Sequence, residues 1–337
     1  MSRKGWLEYI VTEADEGMNV EQVVRQRMNV SGRMLQRLTR RRGLLLNQRP
    51  PYLQRPVKAG DKVAVRVSDA PKPAGKERQG RVSDEAGTTR SKSDGIPQPL
   101  SRLPDKTGEA GAEIPILYED DHLLAVDKPA GMMVYPLKAG QQGTLVQVLA
   151  EVLQRRGETG SIHAVHRLDK DTSGTILLAK SSYGHQLADR LLREGKIRRE
   201  YLAVVSGRLE QDKGTIYAPI GRDPHHPTRR CVTERGDVAI THYEVEARSS
   251  EMSRVRVWLE TGRTHQIRVH FCHLGHPLVG DVLYGGRRGL MRRQALHAQL
   301  LSFPHPLTGQ EICCTAPLPA DLRRLIHAEF GTVEKQD

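Results

Sequence analysis

The sequence is poor in aromatic residues: two tryptophans, nine tyrosines and three phenylalanines are all that its 337 positions contain. RNA-binding sheets that stack bases need several exposed aromatic side chains, so this scarcity argues against that mode of binding. Only four cysteines occur, and the spacing of Cys231, Cys272, Cys313 and Cys314 matches no disulfide framework. We expect reduced thiols that pack as small hydrophobic side chains.

The chain also lacks a long apolar run. Its N-terminus has no hydrophobic segment of the kind found in signal peptides, and no stretch approaches the roughly 20 apolar residues of a membrane span. No Gly-x-Gly-x-x-Gly sequence follows a predicted strand, which excludes the common dinucleotide site and weakens a methyltransferase interpretation. We therefore expect a cytoplasmic, monomeric protein without a membrane partner.

Basic residues outnumber acidic ones, and their placement is uneven. The formal net charge is +12, yet residues 1–68 alone hold 14 Lys and Arg against 6 Asp and Glu, a balance of +8. Such a concentration predicts a polyanionic partner. Nucleic acid fits it better than an anionic membrane or a generally solvated surface does.

Residues 1–68 are predicted to form a small α+β module with two short helices and a hairpin. Ser31 can cap the second helix, which carries a basic stripe. The arginines of this stripe are Arg33, Arg37, Arg40, Arg41 and Arg42. A solvated helix face is the plainer interpretation, but five arginines without an intervening acid favour contacts with phosphates.

The order of elements in this module resembles a small RNA-binding module first known from a ribosomal small-subunit protein. The sequence SGRMLQRLTRRRGLLLN carries the resemblance, with the pattern Ser-x-Arg-x-x-Leu-x-x-Leu. Asn47-Gln48 stands where that module usually has Asn-Gly. The resemblance implies that a basic face of residues 1–68 binds folded RNA.

Residues 69–112 differ in composition from both flanks. Pro, Gly, Ser and charged residues dominate, so the segment cannot bury enough apolar surface to offset the entropy of ordering. We predict a flexible linker that lets the basic module bind RNA while a second domain reaches its target. Residues 113–330 then form a strand-rich domain of α+β class, with helices near residues 145–153 and 181–192. Ser181 or Ser182 is the expected cap of the second of these helices.

Two polar clusters mark this second domain. HRLDKDTSG at 166–174 places five ionisable residues directly before a predicted strand. On spacing alone, Asp169 or Asp171 is equally well interpreted as a carboxylate that caps a turn. GRTHQIRVH at 262–270 begins a helix with Thr264 as a possible cap, and that helix places His265 and Arg268 on one face.

Histidines near the second cluster invite a zinc hypothesis. His265, His270, His273 and His276 follow spacings of five, three and three, with Cys272 among them. This set matches no familiar zinc site, and no Cys-x-x-Cys accompanies it. We expect no metal; a zinc hydrolase would instead lose its activity on treatment with a chelator.

Five segments in order resemble the motifs of the RluA-type family of RNA pseudouridine synthases. They are HRLDKDTSG, REYLAVV, GRTHQIRVH, LGHPLVGDVLYG and ALHAQLLSFPHPLTG. The opening YEDDHLLAVDKPAGMMVYP also fits, with Tyr135 where many members have His. The resemblance covers about residues 114–320. It implies the pseudouridine synthase fold, a mixed and mainly antiparallel sheet.

The resemblance also implies roles for single residues. Asp169 is the expected catalytic carboxylate, Tyr201 the tyrosine that stacks on the target base, and Arg268 the partner of Asp169. Arg167 is expected to fill the gap that the flipped base leaves, and His265 to support the site. No cofactor is implied, because the isomerisation transfers no electrons and no external group.

Large-subunit ribosomal RNA is the expected substrate, with transfer RNA as the alternative. A rival hypothesis is a non-catalytic RNA-binding or ribosome-assembly protein that kept the fold. The presence of Asp169, Tyr201 and Arg268 favours the enzyme, which requires the three side chains to converge in one cleft.

Overall fold

A computed structural model describes residues 5–69, 114–158, 160–287, 289 and 291–331. These residues form a small N-terminal module and a larger domain built on one ten-stranded sheet. The linker predicted at 69–112 lies outside the described residues, apart from Asp69. Within the described ranges, no helix has the length and apolar character needed to cross a bilayer.

The N-terminal module is a three-stranded antiparallel sheet covered by two helices. Its elements in chain order are β1 (Trp6–Ile10), α1 (Val20–Gln26), α2 (Gly32–Arg40), β2 (Leu44–Leu46) and β3 (Lys62–Arg66), with β3 in the middle of the sheet. Ser31 caps α2 as predicted, because its hydroxyl accepts from the Met34 amide at 3.3 Å. Asn47 and Gln48 both adopt left-handed φ, of 49° and 68°. A hairpin turn therefore forms here without glycine.

The larger domain begins at β4 and contains twelve strands among the described residues. The strands are β4 (Ile116–Glu119), β5 (Leu123–Lys128), β6 (His163–Ala164), β7 (Ser173–Ala179), β8 (Arg198–Ser206), β9 (Lys213–Tyr217), β10 (Ile220–Arg222), β11 (Arg230–Val232), β12 (Ile240–Arg248), β13 (Met252–Leu259), β14 (Leu296–Pro304) and β15 (Glu311–Thr315). The helices are α3 (Leu145–Arg155), α4 (Ser182–Arg193), α5 (Gln266–His273) and α6 (Ala320–Phe330).

The main sheet has the order β4-β5-β7-β14-β8-β13-β12-β9, with β6 added to β7 and β15 to β14. The β7–β14 pair is parallel and the β14–β8 pair antiparallel. Side chains on β5 alternate between the faces, as the two-residue period of a strand requires. Leu124 and Val126 pack with α3 and α5, while Leu123 and Ala125 pack with α4. The mixed sheet between helical layers confirms the predicted α+β class.

The predicted caps of α4 and α5 have different outcomes. Ser181 caps α4, because its hydroxyl accepts from the Gly184 amide at 3.1 Å. The prediction for Thr264 is wrong: α5 begins at Gln266, and the cap position belongs to His265, which has φ of 59° and no side-chain cap bond. The side chain of Gln266 closes the turn instead, by accepting from the Arg263 amide at 2.9 Å.

Candidate active site

Asp169 lies in the loop between β6 and β7, and the loop is held from both sides. Leu168 is buried in the core, while the side chain of Asp169 is 24% exposed. The Thr172 amide donates to the Asp169 carbonyl at 3.1 Å and closes a turn. His166 accepts from the Leu177 amide at 3.1 Å. Burial lowers the pKa of His166 to about 3, so its imidazole is a neutral structural link to β7.

Gly174 determines how closely this loop approaches the neighbouring strand. Its φ is 110°, and a Cβ atom on it would lie 2.1 Å from the carbonyl oxygen of Ala298. Ala298 pairs with Gly174 on one side and with Tyr201 of β8 on the other. The backbones of Gly174 and Tyr201 are therefore about 10 Å apart, which is two strand spacings.

Lys128 is fully buried at the end of β5, and its hydrogen bonds hold the loop that contains Asp169. Its Nζ donates to the carbonyls of Pro129, Met132 and Lys170 at 2.9, 2.8 and 3.0 Å. Burial lowers the pKa of Lys128 to about 8, against the opposing charges of nearby aspartates. The amine thus fixes the backbone of the residue that follows Asp169.

Arg268 joins two carboxylates from different parts of the chain. Its NH1 donates to Asp169 Oδ2 at 2.9 Å, while Nε and NH2 donate to the two oxygens of Asp281 at 2.6 and 2.9 Å. The side chain of Asp281 is only 1% exposed. Burial opposes the charge of Arg268, but the hydrogen bonds to Asp281 and the charge of both carboxylates outweigh it and raise the pKa of Arg268. Asp281 thus orients the guanidinium, and an N–H of NH1 holds the more open Asp169.

His265 approaches Asp169 from the start of α5. Its Nδ1 lies 2.8 Å from the Tyr284 hydroxyl, which itself accepts from the Arg230 amide at 2.9 Å. When Tyr284 donates its proton to Nδ1, a neutral His265 carries its own proton on Nε2. Burial lowers the pKa of His265, although Asp169 opposes the shift. The Nε2 atom is 3.9 Å from Asp169 Oδ2.

Tyr201 lies on β8 beside this group and belongs to the main core cluster. Burial raises the pKa of Tyr201; the charge of Arg199 opposes the shift and that of Asp169 adds to it. Its hydroxyl is therefore protonated at neutral pH and able to donate. Only 5% of the residue is exposed, so a base that stacks on the ring requires neighbouring side chains to move.

The structure brings some of the predicted residues together and leaves others apart. Asp169, Arg268 and His265 form one group. Tyr201 lies close enough for the charge of Asp169 to act on its hydroxyl. Arg167 lies two residues before Asp169 and is exposed to solvent. The stripe on the N-terminal module is separate from this group: Arg33, Arg40, Arg41 and Arg42 are exposed and Arg37 is half-buried.

The sequence patterns predicted no role for three residues that support the site: Lys128, Asp281 and Tyr284. Asp281 and Tyr284 stand in the LVGDVLYG segment, and Lys128 ends an apolar strand. A lysine that ends a mostly apolar run is a detectable pattern. The partner of that charge is not, because it depends on how distant segments meet.

The histidines of the zinc hypothesis bond to separate partners. His270 is fully buried between the Thr241 hydroxyl at 2.8 Å and the Ala218 carbonyl at 2.9 Å. His276 approaches the Ser206 carbonyl at 2.9 Å. Among the residues that the structure describes, no three His, Cys, Asp or Glu side chains are grouped so that they could hold a metal ion.

Known proteins are similar to this chain in sequence and in fold. The family of RNA pseudouridylate synthases matches residues 122–273, a range that contains Asp169, Tyr201 and Arg268. An uncharacterized RNA pseudouridine synthase of Bacillus subtilis is 48% identical over 221 residues, 65% of this chain and 73% of the relative. A ribosomal large subunit pseudouridine synthase D of Nitrosomonas europaea is 42% identical over 234 residues, 66% of this chain and 68% of the relative.

A solved structure extends the similarity to the fold. The human RNA pseudouridylate synthase domain containing protein 1 is 27% identical, with a TM-score of 0.53. The aligned part covers 64% of this chain and 90% of the human chain.

Proposed function

Because the chain belongs to the RNA pseudouridylate synthase family and is an RNA pseudouridine synthase, we propose that Asp169 is its catalytic carboxylate and large-subunit ribosomal RNA its substrate. Arg268 would hold Asp169 in the ionised form, and Tyr201 would contact the target base. The observation that carries this assignment is the buried ion pair of Asp281 with Arg268, whose NH1 donates to Asp169.

The isomerisation sets clear requirements for the site. The bond from ribose C1′ to uracil N1 breaks, the base turns over, and a bond from C1′ to C5 forms. The hydrogen on C5 leaves as a proton and N1 gains one, so atoms and charge balance without an external group. Uracil in a helix is inaccessible until it is flipped out, which costs a few kcal/mol.

An ionised carboxylate serves this reaction in either of two ways. It can attack the nucleotide covalently, or it can stabilise positive charge that develops on the ribose. The fixed guanidinium of Arg268 supplies an opposite charge beside this carboxylate. His265 lies close to the same carboxylate, with Nε2 3.9 Å from Asp169 Oδ2. Arg167 is exposed beside Asp169, where it can enter the space that the flipped base vacates.

The assignment of the substrate rests on two observations. Relatives with 39–42% identity carry the name ribosomal large subunit pseudouridine synthase D. The N-terminal module presents an exposed basic stripe suited to structured RNA. We expect pseudouridines to disappear from large-subunit ribosomal RNA when the gene is deleted, which chemical mapping of total RNA would measure. Loss confined to transfer RNA would contradict this assignment.

Tyr201→Phe is expected to separate the ring of Tyr201 from its hydroxyl. The ring and its packing remain, so RNA affinity and thermal stability should stay near those of the wild type. If the hydroxyl moves a proton, the single-turnover rate should fall by about 10²-fold or more. Tyr243→Phe is the matched control, since Tyr243 is 5% exposed in the same core cluster. Equal rates for the two variants would exclude a proton-transfer role.

Replacing the stripe arginines by glutamine is expected to weaken RNA binding and to reduce its dependence on salt. Each lost phosphate contact should lower the slope of log affinity against log salt by about 0.7 to 0.9. The exposed residues Arg33, Arg40 and Arg41 are the ones to change. Arg25→Gln is the control, because Arg25 lies on α1 and pairs with Glu21. An unchanged slope in the triple variant would show that the stripe does not contact phosphates.

A further inference from the structure

The N-terminal module is packed against the larger domain through helix α4. Tyr183 and Leu187 of α4 are fully buried and belong to the hydrophobic core of the module. The Tyr183 hydroxyl donates to the carbonyl of Met28 at 2.8 Å. Met28 lies between α1 and α2, so α4 contacts the turn that connects the two helices of the module.

Polar contacts hold the same turn. Gln186 donates from Nε2 to the Asn29 carbonyl at 2.6 Å and accepts at Oε1 from the Ser31 amide at 2.9 Å. Arg190 NH1 donates to the Asn29 side-chain oxygen at 3.0 Å. Because Ser31 is the cap of α2, these bonds fix the start of the helix that carries the basic stripe.

Asp69 forms a second attachment, where the chain leaves the module. Its carboxylate accepts from the amide and the hydroxyl of Ser182 at 2.9 and 3.0 Å, and from the hydroxyl of Ser161. His163 Nε2 on β6 lies 3.4 Å away, and Arg37 of the stripe 3.8 Å away. The same side chain therefore contacts the basic stripe, α4 and the strand that precedes the Asp169 loop.

We propose that α4 and Asp69 hold the N-terminal module in a fixed position, so that the basic stripe and the active site act as one RNA-binding surface. The position of β6 supports this, because Asp169 is six positions after His163. That length of chain can span at most about 22 Å. The partner is a structured RNA large enough to cover both the stripe and the active site. The inference rests on the proposed RNA-binding role of the stripe.

A fixed module and a tethered one differ in what they predict. A module held in place loses little freedom when RNA binds, whereas a module attached only through its linker must be ordered by each substrate. Detachment should therefore slow pseudouridine formation in a large RNA. It should not slow the reaction in a short stem-loop that reaches only the active site.

Two variants of the full chain detach the module by different means. Leu187→Asp places a charge in the shared core, and the double variant Gln186→Ala with Arg190→Ala removes the polar contacts without changing the core. Arg193→Ala is the matched control, because Arg193 is 78% exposed on the same helix and pairs with Asp189 of that helix. Hydrogen exchange at residues 28–31 measures docking in each protein.

Pseudouridine formation is then measured on whole large-subunit ribosomal RNA and on a stem-loop centred on the modified uridine. Both detaching variants should speed exchange at residues 28–31 and reduce kcat/KM on the whole RNA by about 10-fold, with less than about a two-fold change on the stem-loop. The Arg193→Ala control should match the wild type in all three measurements.

Two results would overturn the proposal. One is unchanged exchange at residues 28–31 in both variants, which would mean that α4 does not hold the module. The other is faster exchange with undiminished use of whole RNA, which would mean that the fixed position is irrelevant to the substrate. Failure of the proposed function is a separate outcome: the wild type would then form no pseudouridine in ribosomal RNA.

Discussion

Asp169→Asn is expected to abolish pseudouridine formation while RNA binding persists. The amide has nearly the same shape as the carboxylate, but it neither attacks the nucleotide nor stabilises positive charge on the ribose. We expect the single-turnover rate to fall by at least about 10³-fold, the upper range for a single group that acts on developing charge. Release of tritium from RNA labelled at uracil C5 measures the reaction directly, because the C5 hydrogen is displaced.

Asp171→Asn is the matched control for this prediction. It makes the same change in charge two residues away, and Asp171 is also partly exposed in the same loop. Its rate should remain within a few-fold of the wild type. A fast Asp169→Asn variant beside an inactive Asp171→Asn variant would show that Asp171 is the catalytic carboxylate.

Arg268→Lys is expected to lower the turnover rate by about 10²-fold, although it keeps the positive charge. An ammonium group cannot reproduce the planar fork that reaches Asp281 with two N–H groups and Asp169 with a third. Small misplacements of catalytic groups cost rates of this order.

Single-turnover rates of Arg268→Lys and the wild type on the same RNA measure this loss. Asp281→Asn should give a smaller loss of rate, since Arg268 stays charged beside Asp169 but loses its orienting partner. Arg254→Lys is the control: Arg254 is 15% exposed and pairs with Glu246 within the sheet. A rate for Arg268→Lys equal to that of the wild type would show that the reaction does not require the planar fork of Arg268.

The regular elements of the fold were largely predictable from local patterns. The apolar run of β5, the apolar spacing of α3 and the caps Ser31 and Ser181 depend on neighbours within a few residues, so each can be derived from the chain itself. Thr264 shows the limit of that reasoning. It has the residue type of a cap, but His265 takes the cap position in a left-handed conformation, directed at the distant Tyr284.

The site was predictable only in part, and for a related reason. The motifs identified Asp169, Arg268 and Tyr201, and the structure places Asp169 in contact with Arg268. The buried partner of the guanidinium, Asp281, and the amine beneath the loop, Lys128, were not assigned. Their roles arise from long-range contacts: Lys128 reaches a carbonyl 42 positions further along the chain.

The sequence by itself determined the family, the α+β class and the residues able to do the chemistry, because residue type, spacing and strand or helix periods are properties of the chain. Tertiary structure alone decided which charges meet. The pairing of Asp169 with Arg268, 99 positions apart, and the docking of the module on α4 both join segments far apart in sequence. Such pairings depend on sheet order, which no local pattern encodes. They also determine how strongly a fixed opposite charge acts on a carboxylate, because that depends on the distance between the two groups.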